Sequence, residues 1–162
     1  MQLKRFIMPA SKQLMKGIKT AYDLEKKAFE FYTNKYDELE NQLFRKLLLF
    51  LAEQEKNHMH YIDRLKNSLQ QTEHWIAIKE KLATPDFFTE LKKIEHTTHE
   101  IDIMHKAMEF EKKTRNFYMD MEKKTISTQG KAFFKKMVEF ENSHYMLLEG
   151  LYESSMYVRL ET

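Results

Sequence analysis

Cysteine is absent from the 162-residue chain, which excludes disulfides, thiolate zinc sites, iron–sulfur clusters and cysteine nucleophiles. Glycine occurs three times and proline twice. Sheets and loop-rich folds need turn residues at short intervals, so this scarcity points to long helices. No stretch approaches the roughly 18 uncharged apolar residues of a membrane span. Lys4, Arg5, Phe6, Ile7, Met8 and Pro9 combine basic residues with too short an apolar run for a signal peptide. Charge of one sign is lacking too: 27 Lys+Arg face 25 Asp+Glu, a formal net charge of +2. That balance provides neither a nucleic-acid groove nor a polybasic membrane anchor. The expectation is a cytoplasmic protein with no nucleic-acid and no membrane partner.

What is present is a soluble balance of 42% hydrophobic and 32% charged residues. A chain of this length suits one domain over 1–162 and buries roughly two-thirds of its unfolded surface. Helical spacing predicts four long amphipathic segments, at about 12–40, 42–70, 98–126 and 129–154. In the second, Phe44, Leu48, Leu51, Glu55, His58, Ile62, Leu65 and Leu69 alternate spacings of 4 and 3, a heptad seam. Phe134, Met137, Glu141, His144, Leu148 and Leu151 repeat it in the fourth. The first carries Leu14, Ile18, Tyr22, Glu25, Phe29, Tyr32 and Tyr36 on one side, and the third Ile101, Met104, Met108, Glu111 and Tyr118. Short joints near Glu40-Asn41 and at 125–130 fold each pair into an antiparallel hairpin. The crossover at about 71–97 is long enough to run the length of a bundle. Within it, 75–82 reads as helical, and Thr84-Pro85 reads as an N-cap with proline at the first helical position, opening a short helix through Lys93.

The seams contain charges where a core belongs. Glu25, Glu55, Glu111 and Glu141 sit mid-helix on the apolar stripe, with His58 and His144. An unpaired carboxylate in a dry core costs several kcal/mol even after relaxation, and four facing one another also repel. The chain is also internally repeated. Glu111, Glu141, His144 and Tyr118 each follow Glu25, Glu55, His58 and Tyr32 by 86 residues. Each half thus offers one Glu on its first helix and Glu-x-x-His on its second, and positions i and i+3 share a helix side. Four carboxylates are balanced by two divalent cations when the imidazoles are neutral. Carboxylate-rich ligation with one imidazole per metal suits iron or manganese better than copper, and zinc remains open. The chain has only two Glu-x-x-His, in the same register of paired helices.

At these residues the chain resembles the ferritin-like superfamily, particularly rubrerythrin-like di-iron-carboxylate proteins and, less closely, bacterioferritin. The resemblance covers the four segments and leaves the crossover poorly matched. It implies an all-α four-helix bundle of two antiparallel hairpins, with two metal ions per chain. Glu25 and Glu111 match the family's terminal carboxylates, Glu55 and Glu141 its bridging carboxylates, and His58 and His144 its terminal imidazoles. Tyr32 and Tyr118 match a tyrosine that often hydrogen-bonds a ligand carboxylate. The implied activity is reduction of hydrogen peroxide or O2, with Glu55, Glu141, Tyr32 and Tyr118 as the catalytic set. Two alternatives stay open: an iron-binding or ferroxidase protein in metal handling, and a non-catalytic bundle stabilised by metal.

The departures carry their own expectations. With no cysteine there is no rubredoxin-type domain, so an external electron donor such as a rubredoxin or flavoprotein is expected. Thr114 stands where rubrerythrins have a further glutamate, three residues after Glu111. Lys56 stands at the position of bacterioferritin's haem methionine, against haem. Only 21 residues follow Glu141, leaving no room for the short fifth helix of 24-subunit cages, whereas a homodimer is allowed. His96, His99 and His105 read as a partly solvated cluster, and His60 and His74 have no matching partner. Glu53 and Glu139 share the offset but point away from the seam, and Glu109 lacks the offset that Glu111 shares with Glu25. The 11 methionines read as core filler. Phe87-Phe88 and Met156-Tyr157-Val158 read as a dimer contact or a cover for the bundle end.

Overall fold

The computed structural model of the chain describes residues 11–161; the basic and apolar run at 4–9 lies outside the described residues. Four long helices and one short one follow in the order α1 (Lys12–Tyr36), α2 (Gln42–Gln71), α3 (Phe88–Leu91), α4 (Thr98–Lys124) and α5 (Thr128–Glu161). Side-chain caps set the starts. Ser11 accepts from the Leu14 amide at 3.1 Å, Asn41 from those of Leu43 and Phe44, and Thr97 from that of Glu100; each removes an orphan donor of a first turn. α1 packs along α2 and α4 along α5, and α1 meets α4 to join the two hairpins. The result is an all-α, ferritin-like bundle.

Several boundaries differ from the sequence reading. α1 stops at Tyr36 instead of reaching 40, because the chain must reverse before Asn41 takes up its cap, and Leu39 turns inward to plug that end. α4 stops at Lys124, where the Thr125 hydroxyl bonds back to the Met121 carbonyl at 2.6 Å. α5 begins at Thr128 and runs on to Glu161, past the expected 154. Neither glycine nor proline interrupts 151–161, and buried Ser155 returns its hydroxyl to the Leu151 carbonyl.

The crossover departs most. Residues 75–82 are not helical, and geometry explains it. The 30 residues of α2 span, at about 1.5 Å each, roughly 45 Å. A helical segment of eight residues would cover only about 12 Å of that return, whereas extended chain covers about 3.3 Å per residue. Trp75, Ile76 and Ile78 therefore lie along the bundle surface, packed against its core. Thr84 does not cap a helix either. The only helical piece in this stretch is Phe88–Leu91, preceded by Phe87 without a side-chain cap bond, and Pro85 instead accepts from the Phe88 amide at 3.0 Å. Phe87 and Phe88 pack on the apolar core at that end of the bundle, while Tyr157 is 71% exposed.

The core is split in two. One apolar cluster contains Ala28, Leu47, Leu48, Leu51, Ala107 and Leu148; the other contains Ala21, Ile62, Leu65, Tyr118, Met137 and Phe140. On every long helix the seam glutamate falls where one cluster gives way to the other. Two dry ends thus enclose a polar middle layer.

Candidate metal centre

That layer consists of Glu25, Glu55, His58, Glu111, Glu141 and His144, each no more than 2% exposed. The heptad phase of each helix turns its Glu inward, and the i, i+3 spacing places His58 and His144 one turn on along the same face. All six side chains singled out from the seams come together. The hydroxyl of Tyr32 on α1 donates to Glu111 Oε1 on α4 at 2.5 Å, and that of Tyr118 on α4 donates to Glu25 Oε1 on α1. His58 Nδ1 lies 2.9 Å from Glu141, 3.3 Å from Glu25 and 3.4 Å from Glu55. His144 Nδ1 lies 3.1 Å from Glu55 and 3.4 Å from Glu111. The two imidazoles stack at 5.5 Å and 12°, and His58 also stacks on Phe140 at 5.0 Å. The sequence reading did not single out Phe140; its position directly before Glu141 was the available signal.

Two overlapping sets of ligand atoms emerge: Glu25, Glu55, His58 and Glu141 in one, Glu55, Glu111, Glu141 and His144 in the other, with the atoms of each set within 4.8 Å of one another. Glu55 and Glu141 belong to both. Glu55 Oε2, Glu111 Oε2 and Glu141 Oε1 are buried without a hydrogen-bond partner, an arrangement costly in a native protein unless a cation completes it. Hard carboxylate oxygens plus one imidazole per set form a donor group for two divalent transition metals. The residues fit a di-metal centre.

Electrostatics divide the six groups. Burial, the largest single influence, would raise Glu25, but the His58 charge and the hydrogen bonds from Glu55, His58 and Tyr118 together outweigh it and hold Glu25 down to about 2. Glu111 is likewise lowered: burial is the largest single influence and raises it, but the His144 charge and the hydrogen bonds from His144, Glu141 and Tyr32 together outweigh burial. Burial, followed by the charges of Glu111 and Glu25, pushes Glu55 up to about 8. Burial and the charges of Glu25, Glu55 and Glu111 raise Glu141 well above the usual carboxylate range. Burial, the largest single influence, opposes charge on the imidazoles, yet Glu111 and Glu55 together lift His144 to about 9, and Glu25, Glu141 and Glu55 together lift His58 well above its ordinary value. The raised groups, His58, His144, Glu55 and Glu141, all favour the protonated form, which offsets carboxylate charge that divalent cations would otherwise offset. Burial first, then the neighbouring carboxylates, raise Tyr32 and Tyr118 well above the ordinary phenol value, so both remain hydrogen-bond donors.

The residues set aside lie elsewhere. Glu53, Glu139 and Glu109 are exposed, as are His60, His74, His99 and His105. Buried Thr114 stands one turn beyond Glu111. His96 is a correction: it is buried, not partly solvated. Its Nδ1 lies 2.6 Å from Glu100 and its Nε2 3.0 Å from the Leu91 carbonyl, and its ring packs against Phe44, so it fastens the end of the crossover. His99 instead reaches Glu38 at 3.1 Å, and His105 lies near Glu109. The three histidines do not converge. No described helix is long and apolar enough to cross a membrane.

The family model described as Rubrerythrin matches residues 16–152, which contain most of each long helix and all six clustered side chains. No curated protein and no solved structure gives a significant match. With that match over most of its length, the chain belongs to the rubrerythrin family.

Proposed function

We propose that the protein is a di-iron-carboxylate oxidoreductase that reduces hydrogen peroxide or O2 with electrons from a separate donor. The observation that carries this reading is the sharing of Glu55 and Glu141 between two ligand sets inside a dry bundle. Glu25 with His58 would hold one ion and Glu111 with His144 the other, with Glu55 and Glu141 between them. Two ferrous ions so placed would supply one electron each to an O–O bond. The chain's own residues provide the setting. The two apolar clusters exclude bulk water, which strengthens every interaction within the layer. Tyr32 and Tyr118 each anchor one oxygen of Glu111 and Glu25; the second oxygen of Glu25 faces His58 Nδ1 at 3.3 Å, and that of Glu111 is buried without a hydrogen-bond partner. His58 and His144 are held parallel by their stack, which sets the direction of Nδ1.

Anaerobically loaded protein mixed with hydrogen peroxide tests the reading. The expected result is oxidation of the centre by about one peroxide per pair of irons, with turnover when a reductant is supplied. Ferrous uptake continuing past two irons per chain would instead identify metal storage. A stable, colourless zinc form that does not exchange for iron would identify a structural site.

A further inference from the structure

The crossover brings one carboxylate onto α2: the Tyr61 hydroxyl donates to Glu80 Oε2 at 2.5 Å. Both residues are half-buried, so the pair stands at the edge of the bundle, within reach of water. From Tyr61 a file of stacked rings runs inward. Tyr61 lies within 1° of parallel to Phe140, ring centroids 6.4 Å apart. Phe140 stacks at 5.0 Å on His58, and His58 at 5.5 Å on His144. Three ring contacts thus join a half-buried phenol to both imidazoles of the buried layer. The 86-residue repeat does not account for this file, because the counterpart of Tyr61 is Leu147 and that of Phe140 is Gln54. Neither carries a ring.

Electron counting gives such a file a use. Reduction of hydrogen peroxide to two waters takes up two electrons, which two ferrous ions supply. Reduction of O2 to two waters takes up four electrons, with four protons from the medium. Two of those electrons must come from outside the metal pair.

We propose that Tyr61 is a redox-active residue that supplies one of them when the substrate is O2. The proposal rests on the oxidoreductase reading above. Tyr61 gives one electron, by way of Phe140, to the oxidised centre beyond His58, and its phenol proton to the Glu80 carboxylate. A neutral tyrosyl radical remains, and the fourth electron comes from the separate donor. A small dissolved reductant of the ascorbate class then returns an electron to the half-buried ring while Glu80 returns the proton. Burial first, then the hydrogen bond and charge of Glu80, push Tyr61 up to about 12, so the phenol holds its proton until it is oxidised. The Lys136 ammonium stands 5.2 Å from the centre of the Phe140 ring and disfavours positive charge there. Phe140 therefore bridges without being oxidised itself, and the oxidation comes to rest on Tyr61.

The test mixes O2 with the full chain, loaded anaerobically with two ferrous ions and given one more in solution to supply the fourth electron. Freeze-quenched samples are read by electron paramagnetic resonance, and oxidation of the centre by visible absorption. A tyrosyl radical is expected in the wild type and in Tyr157→Phe, which lies off the file, and none in Tyr61→Phe. Glu80→Gln keeps a hydrogen-bond acceptor but is a poor base, and is expected to slow radical formation about a hundredfold, the low end of what a positioned proton acceptor contributes. A Tyr61–Glu80 pair that only fastens the crossover would give no radical to lose. An oxidised centre with no tyrosyl radical, or a radical of unchanged yield in Tyr61→Phe, would overturn the inference and leave the oxidoreductase reading standing. A centre that stays ferrous under both O2 and peroxide would overturn that reading, and the inference with it.

Discussion

Tyr32 on α1 donates its hydroxyl hydrogen to Glu111 on α4 at 2.5 Å, and Tyr118 returns the same bond to Glu25. Each tyrosine follows the seam glutamate of its own helix by seven residues, two turns on, and bonds the glutamate of the other half. The antiparallel pairing of α1 and α4 makes this possible, and it latches the two hairpins at the level of the site.

Removing one latch leaves a buried carboxylate oxygen without a donor. Tyr32→Phe and Tyr118→Phe are each expected to destabilise the protein by about 1–3 kcal/mol. Tyr157→Phe, at an exposed position, should stay within about 0.5 kcal/mol. Chemical denaturation of the three variants and the wild type checks the order.

The charge division of the centre predicts proton release on metal loading. His144 is raised to about 9 and Glu55 to about 8, and His58 and Glu141 are raised as well. A group with a raised pKa keeps its proton below that value, so at neutral pH His144 and Glu55 hold protons that compete with metal, and the upward shifts of His58 and Glu141 act in the same direction. Loading two divalent ions in weakly buffered solution should release protons, those of His144 and Glu55 among them, measured by pH-stat titration. Metal affinity should fall as the solution is acidified. Loading without proton release would contradict this division.

Gly130, at the start of α5, carries the indole of Trp75 against its backbone: a Cβ there would stand 2.6 Å from the ring and 2.5 Å from the Thr125 methyl. Gly130→Ala improves helix propensity by about 1 kcal/mol, but it must displace the crossover. Overpacking of this kind costs about 1–3 kcal/mol, so net destabilisation is expected, with a shift in fluorescence of Trp75, the chain's single tryptophan.

The helices and the polar layer were legible in the sequence because both follow from period. A glutamate every 86 residues on an otherwise apolar seam identifies itself by its cost. The crossover was not legible, since Trp75, Ile76 and Ile78 suit a helix or an extended strand flanking a core, and only the distance to be spanned decides between them. The burial of His96 depends on Phe44 and Leu91, which belong to other elements and cannot be read from the local sequence. The full length of α5 was readable, for nothing in 151–161 breaks a helix.

Glu73, just past the end of α2, adopts φ 58°, a left-handed conformation that glycine takes freely and other residues do not. Glu73→Gly is expected to stabilise the protein by up to about 1 kcal/mol, and Glu73→Ala to give no such gain. Thermal unfolding of both variants distinguishes them.

The account depends most directly on Glu55 and Glu141 being shared by two ions. Metal analysis by inductively coupled plasma mass spectrometry, on protein purified without added metal and dialysed, should find two transition-metal ions per chain in the wild type. A Glu55→Ala/Glu141→Ala double variant that remains helical by circular dichroism should lose them. Two tightly held ions per chain in that variant, or none in the wild type even after anaerobic loading, would contradict the central claim.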